Sequence, residues 1–335
     1  FAGFTMGKAV SQFSAPWVNY PGNTYDGLVG GGGTVTGVNQ FAYTAEFGNG
    51  VSASISAQDP SQYYQAGLNQ VGILGGYGTS NYGGTDIPDI VGQLRIDQAW
   101  GLFQLSAAAH ENHAAYYGIV DTSGAVSDRW GYAVQAALSI KNIPTGPGDT
   151  INVQGVYTDG ATRYNIQDLA GSAGANTIYG SSSALGALGS VGIGFAPDSV
   201  YGAAGGSQQL VQTWGMRGAY THNWSPNWNT AIYGAYAAVS YTGAAKALIC
   251  APGVGFAAGL TSCNPDYNIG QIGLITRWVP VKNLTFSADL TYTMLDQKYV
   301  GLLGAGAVGV AKTPGAYEAR DQNTWQMLLR AQRNW

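Results

Sequence analysis

The sequence predicts an all-β chain whose antiparallel strands run up and down as the staves of a barrel. Three observations carry that expectation. Side chains alternate between apolar and polar in runs of about ten residues, the length at which a tilted strand crosses hydrocarbon. The connections between those runs alternate between long and short. Charged residues make up only 10% of the chain, and no stretch approaches the roughly 18 consecutive apolar residues of a membrane-spanning helix.

The first strand is expected at residues 1–9, FAGFTMGKA. The clearest hairpin follows, around the GNG at 48–50. Phe41, Tyr43, Ala45 and Phe47, then Val51, Ala53, Ile55 and Ala57, share one face. Gln40, Thr44 and Glu46, then Ser52, Ser54, Ser56 and Gln58, share the other. Strand side chains point alternately to opposite faces, and Gly and Asn supply the left-handed conformations of a tight turn. Residues 89–98 and 102–111 repeat the pattern, as do 129–140 and 149–158. In RWGYAVQAALSI, Trp130, Tyr132 and Val134 oppose Arg129, Gln135 and Ser139. Strands at 210–221 and 228–241 come next, then 268–279 and 284–297, where Leu290 is apolar-facing and Thr291 polar-facing. The run 323–335 ends the series of about twelve strands.

The order of the connections decides what lies against the apolar faces. They run 10–37, 48–50, 59–88, 99–101, 112–128, 141–148, 159–209, 222–227, 242–267, 280–283 and 298–322, so that every second one is short. Up-and-down strands then place all long loops at one end and all turns at the other, the asymmetry of a transmembrane β-barrel. Phe47, Trp100, Trp278 and Trp335 fall near the short-turn ends and Trp130 and Trp325 near the long-loop ends, as two interfacial aromatic girdles require. The inward positions read mostly as Ser, Thr, Asn and Gln, which describes a water-filled lumen. The chain is expected to be one domain, 1–335, with no linker or composition shift. Its 14 Lys and Arg form no basic stripe, which excludes nucleic acid as a partner. Cys250 and Cys263, in the Gly- and Pro-rich CAPGVGFAAGLTSC, are expected to form a disulfide outside the cytoplasm, since zinc ligation wants CxxC pairs.

FAGFTMGKA at the start, CNPDYNIGQIG at 263–273 and MLLRAQRNW at the end resemble the general diffusion porins of alphaproteobacterial outer membranes. The resemblance implies a homotrimer of barrels of sixteen strands through which small hydrophilic solutes and ions diffuse passively. It implies lipopolysaccharide and outer-membrane lipid as surroundings and a barrel-assembly machinery that reads the terminal aromatic, here Trp335. No cofactor is called for. Counting back from Trp335 makes residues 1–9 the fifth strand, with about four strands expected before Phe1. Loop 10–37 then becomes the constriction loop that folds into the barrel, with Pro16, Trp17, Tyr20, Pro21 and Tyr25 as braces and the glycines at 30–33 as bends.

On that reading Asp26 is the loop's carboxylate, and alternation points Arg95, Arg129, Arg217, Arg277 and Arg330 toward the lumen opposite it. A cationic arc facing a carboxylate would set a transverse field across the passage. The alternation leaves a second role open, in which these arginines pair with Asp97 or Asp289 or knit subunits together. His110, Glu111 and His113 in HENH read as a solvated loop base rather than a metal site, because His110 and Glu111 point to opposite strand faces. His222 falls in a short turn with no evident partner. No catalytic constellation emerges. The competing class is an outer-membrane barrel with a surface enzyme or adhesin role on the long loop 159–209.

Overall fold

Alternating faces need two different environments, and the wall of this protein supplies them. The computed structural model describes residues 2–18, 28–31, 37–71, 80–167, 175–183, 186–202, 206–251, 257–304, 313 and 315–334. In chain order the strands begin β1 (Phe4–Ala9), β2 (Val38–Gly48), β3 (Val51–Gln58), β4 (Leu68–Gln70), β5 (Asp89–Gln98), β6 (Gly101–Asn112), β7 (Arg129–Lys141) and β8 (Thr150–Asp159). Next come β9 (Ala175–Gly180), β10 (Ser190–Phe195), β11 (Ser199–Tyr201), β12 (Gln209–Ser225) and β13 (Trp228–Tyr241), followed by the short helix α1 (Gly243–Ile249). The series ends with β14 (Leu260–Ser262), β15 (Tyr267–Val281), β16 (Leu284–Gln297), β17 (Val300–Leu303), β18 (Tyr317–Ala319) and β19 (Gln322–Arg333).

The wall is the path β1-β2-β3-β5-β6-β7-β8-β12-β13-β15-β16-β19, each strand antiparallel to the next. These are the strands that alternation predicts, with ends shifted by a few residues. The largest shift is at β12, which runs through 222–225, where a turn was expected. Asn223 pairs with Asn229 and Ser225 with Trp228, so the turn contracts to Pro226 and Asn227. The backbone N–H of Asn223 donates to Asp149 Oδ1 at 2.9 Å, which holds this extension against the neighbouring turn.

One face of the wall is apolar and open. Phe41 is 47% exposed and Leu290 43%, whereas Gln40 and Asp289, next in sequence, are 5% and 1% exposed. The inner face is covered by the chain's own loops. In the loop 159–209, expected to carry no strands, residues 190–201 are buried throughout, and β11 pairs with β4 in parallel across the lumen's outer end. The apolar run VGIGFA at 191–196 is the signal for a buried strand. Above it, β14, β17, β18, β10 and β9 form a second sheet that joins three long loops. Cys250, at the end of α1, and Cys263, beside the second sheet, are disulfide-bonded with a Cα separation of 5.8 Å.

The expectation of a mostly polar inner face holds for β2 to β8 and fails for β13 and β15. The inward residues of β13 are Ala231, Tyr233, Ala235, Ala237, Val239 and Tyr241, and those of β15 include Ile269 and Ile275. All of them pack with Leu28, Val29, Ile166, Ala196 and Val200 into the largest apolar cluster. Here the covering chain presents the apolar side chains of Leu28, Val29 and Ile166, and burial of apolar area then favours Ala, Val and Ile on the wall.

Candidate functional site

The site is a stretch of irregular backbone lying against the inner wall. Where backbone without helix or strand pairing sits at membrane depth, each of its N–H and C=O groups needs another partner. Wall side chains supply them. Gln40 Nε2 donates to the carbonyls of Ala9 at 2.8 Å and Val10 at 2.9 Å. Ser11 Oγ donates to Gln58 Oε1 at 2.6 Å. Gln93 Nε2 donates to the Gln12 carbonyl at 2.9 Å, and Gln135 Nε2 to the Phe13 carbonyl at 2.8 Å. Gln104, 1% exposed, reaches the Ser14 carbonyl at 3.0 Å and accepts from Trp17 Nε1 at 3.4 Å.

Residues 28–31 lie further around the wall, from Gln271 on β15 past the β12 backbone to Gln154 on β8. The N–H of Val29 donates to Gln271 Oε1 at 3.0 Å, and that of Gly30 to Asn165 Oδ1 at 3.1 Å. Gly30 has φ +95°, and a Cβ there would fall 2.5 Å from the Met216 carbonyl oxygen. Only glycine can lie this close to the β12 backbone in a left-handed conformation. Gly30 thus serves close approach to the wall.

A buried cluster of ionisable side chains anchors the outer edge of this segment. His110 Nδ1 lies 2.8 Å from Asp89 Oδ1, and its Nε2 lies 3.5 Å from Asp198 Oδ2, with all three side chains fully buried. Tyr164 Oη donates to Asp89 and accepts from Gln58 Nε2. Asp198 accepts from the N–H of Ala66 at 2.7 Å and from Thr162 Oγ1 at 3.0 Å, so it ties two long loops to the wall. Phe13 meets the edge of Tyr164, and Tyr64, stacked on Tyr164, bonds Ser14 through its hydroxyl. The reading of HENH as a solvated loop base is therefore corrected for His110. Alternation is right that His110 and Glu111 point apart, but the loops that cover the lumen exclude water from the inner face.

His222 is corrected too. Its Nδ1 lies 2.7 Å from Asp149 Oδ2, in a cluster at the short-turn end with Thr145, Tyr220 and the Asn223 N–H. Burial alone would push the Asp149 carboxyl up. The hydrogen bonds from Thr145, Asn223, His222 and Tyr220 outweigh burial and hold it below the ordinary carboxylate range.

The five arginines stand at three levels of the inner wall and do not form one ring. Arg129, first in β7, bonds the Gln208 carbonyl at the long-loop end. Arg217, at mid-wall in β12, donates from Nε and Nη2 to Gln154 Oε1 at 3.2 and 3.1 Å. Toward the short-turn end, Arg277 donates to Asn229 Oδ1 at 3.2 Å, and Arg330 stands opposite Ser287. Arg95 pairs with Asp97 at 3.3 Å in a cavity of about 430 Å³ lined by Glu46, Thr44, Ser54 and Gln12. Of the five, Arg217 lies beside the irregular segment, since Gly30 abuts its backbone N–H. Asp26 and Trp335 lie outside the described residues, as do Tyr20, Pro21 and Tyr25. The glutamines went unrecognised as a set, although one recurs on the inward face of β2, β3, β5, β6, β7, β8 and β15.

A wall of antiparallel strands with an apolar exterior and a polar, loop-bearing interior has a counterpart among known families. The sequence pattern of the porin subfamily matches residues 1–328. The chain belongs to that subfamily. Among solved structures, this porin is similar to the outer membrane channel DcaP of Acinetobacter baumannii. The identity is 14%, the TM-score 0.58, and the match covers 98% of this chain and 71% of that one. The outer-membrane-expressed OmpT of Vibrio cholerae aligns with 10% identity and a TM-score of 0.43, over 99% of this chain and 76% of that one. No protein of curated function matches. At 14% identity the likeness to DcaP concerns the fold. Family and fold together make this an outer-membrane porin, a channel whose wall strands are the membrane crossings.

Proposed function

We propose that this porin is a general diffusion channel of the alphaproteobacterial type, in which small hydrophilic solutes and ions cross passively and no reaction is catalysed. Residues 10–37 are its constriction. Asp26 stands across the passage from the inward arginines, with Arg217 the one closest to the narrowest section and Arg95, Arg129, Arg277 and Arg330 grading the potential above and below it. The working form is a homotrimer of sixteen-stranded barrels in a lipopolysaccharide-bearing membrane, assembled by machinery that reads Trp335.

The observation that carries this reading is the run of hydrogen bonds in which inward wall glutamines donate to the carbonyls of residues 9–14, while Gln271 of the wall and Asn165 of loop 159–209 accept from the N–H groups of Val29 and Gly30. A loop that projected outward into water would need no such partners. In planar bilayers, deleting about ten residues around the glycine run at 30–33 should raise single-channel conductance, because the narrowest section sets most of the resistance. Replacing Asp26 with Asn should move the reversal potential in a salt gradient toward anion preference. Unchanged conductance and unchanged reversal potential in both variants would sink the constriction.

A further inference from the structure

Resting on the constriction reading, we propose that a rail of wall glutamines, Gln40, Gln93, Gln104 and Gln135, is the device that fixes where the inward segment lies and therefore how wide the passage is. From β2 to β6 the accepting carbonyls advance along the chain as the donors advance around the wall, and on β7 the partner is Phe13 again. Gln40 on β2 serves Ala9 and Val10, Gln93 on β5 serves Gln12, and Gln104 on β6 and Gln135 on β7 serve Phe13 and Ser14. The segment thus crosses the wall strand by strand, and each crossing is met by an amide.

Glutamine suits this position for physical reasons. Its amide carries two donors and an acceptor on an arm long enough to reach backbone lying on the strand face. It is uncharged, so it can be buried once hydrogen-bonded without the desolvation cost of Lys or Arg. A shorter Ser or Asn would leave the carbonyls unmet, and a buried carbonyl without a partner disfavours the docked position. The rail is also tied to the cation beside it. Arg217 donates to Gln154, Gln154 to Gln135, and Gln135 to the Phe13 carbonyl, so every donor in the chain points from the guanidinium toward the segment. Hydrogen bonds in such a series polarise one another. Segment position and the placement of Arg217 are thereby coupled.

The alternative is that these glutamines are only a polar lining, important to the wall and indifferent to the segment. Gln104→Leu separates the two, because leucine fills a similar volume and removes the amide. The rail predicts that Gln104→Leu keeps the heat-modifiable folded form on electrophoresis and raises the displaced population of the segment by about tenfold. The readout is larger or noisier single-channel current. Gln104→Asn, which keeps polarity and shortens the arm, should move the current in the same direction even if the leucine variant folds poorly. In a background already carrying the deletion around residues 30–33, Gln104→Leu should have a much smaller effect, since a freed segment no longer depends on the rail. Wild-type conductance and noise in both glutamine variants would overturn the rail while leaving the constriction standing. An equal effect with and without the deletion would do the same. A deletion that leaves conductance unchanged would overturn the constriction and this proposal with it.

Discussion

On the side of the lumen formed by β2 to β8, the inward-folded chain is held by amides, hydroxyls and a buried histidine between Asp89 and Asp198. On the side formed by β13 and β15 it is held by alanine, valine and isoleucine packed on Leu28, Val29 and Ile166. Both sides carry the same kind of cargo, irregular backbone inside a barrel. The difference follows from what each presents. Residues 9–14 run across the polar strands with their carbonyls turned to the wall, so that wall must donate hydrogen bonds. Residues 28–29 present their side chains, so that wall need only be apolar and close, and the few backbone groups left over are met by Gln271 and Asn165. Inward-facing therefore means two things in this porin: a buried face that donates hydrogen bonds and a buried face that packs apolar side chains.

The comparison can be broken first on its polar side. Replacing His110 with Leu leaves Asp89 and Asp198 buried near each other without the imidazole between them, and is expected to cost about 3–5 kcal/mol. The temperature at which the folded form is lost on electrophoresis, together with protease cleavage of loop 159–209, measures it. An unchanged transition would mean that the buried cluster does not hold the loops.

The apolar side is tested by Leu28→Ala, which should weaken docking of the segment by about 2–5 kcal/mol. Leu28→Met, of similar volume, should cost less than about 1.5 kcal/mol. Single-channel conductance should rise in the alanine variant and stay near wild type in the methionine variant. Equal behaviour of the two would show that this half holds the chain through Gln271 and Asn165 alone.

The smallest effect is expected at the short-turn end, where neither half is involved. The Asp149 carboxyl is held below its ordinary value, so its ionised form contributes stability that is fully present above about pH 4 and fades as pH falls through the lowered value. Hydrogen-exchange protection of the Asn223 amide, corrected for intrinsic rate, should therefore drop between neutral and strongly acid conditions. Asp149→Asn should flatten that dependence. Protection that is the same across the range in the wild type would mean that the carboxylate does not hold the β12 extension.

The wall was legible in the sequence because its signals are local. Phe41, Gln40 and the GNG turn lie within a dozen residues of one another, and β2 and β3 occupy the places that alternation assigns. The interior was not legible, because its partners are far apart in the chain. Gln104 meets the Phe13 carbonyl across 91 residues, and Thr162 meets Asp198 across 36. Nothing near His110 announces that a loop will cover it. Thr291 illustrates the same limit. Alternation presents it as an open inward position, yet it is 1% exposed beside the Tyr233 hydroxyl, which also donates to Asp289 at 2.5 Å.

By itself the sequence determined where the strands lie, which face of each meets lipid, which end carries the turns, and that Cys250 and Cys263 can meet across one loop. All of these follow from period-two geometry and short-range closure, which a chain settles over ten or twenty residues. The tertiary structure alone decided which inward faces donate hydrogen bonds and which pack apolar side chains, that Arg217 lies beside the inward segment while Arg129 and Arg95 stand at other levels, and that His110 is buried between Asp89 and Asp198. Those outcomes depend on which loop covers which stretch of wall. Covering is a contact between segments distant in the chain, and alternation, which records only that a side chain points inward, carries no information about what it will find there.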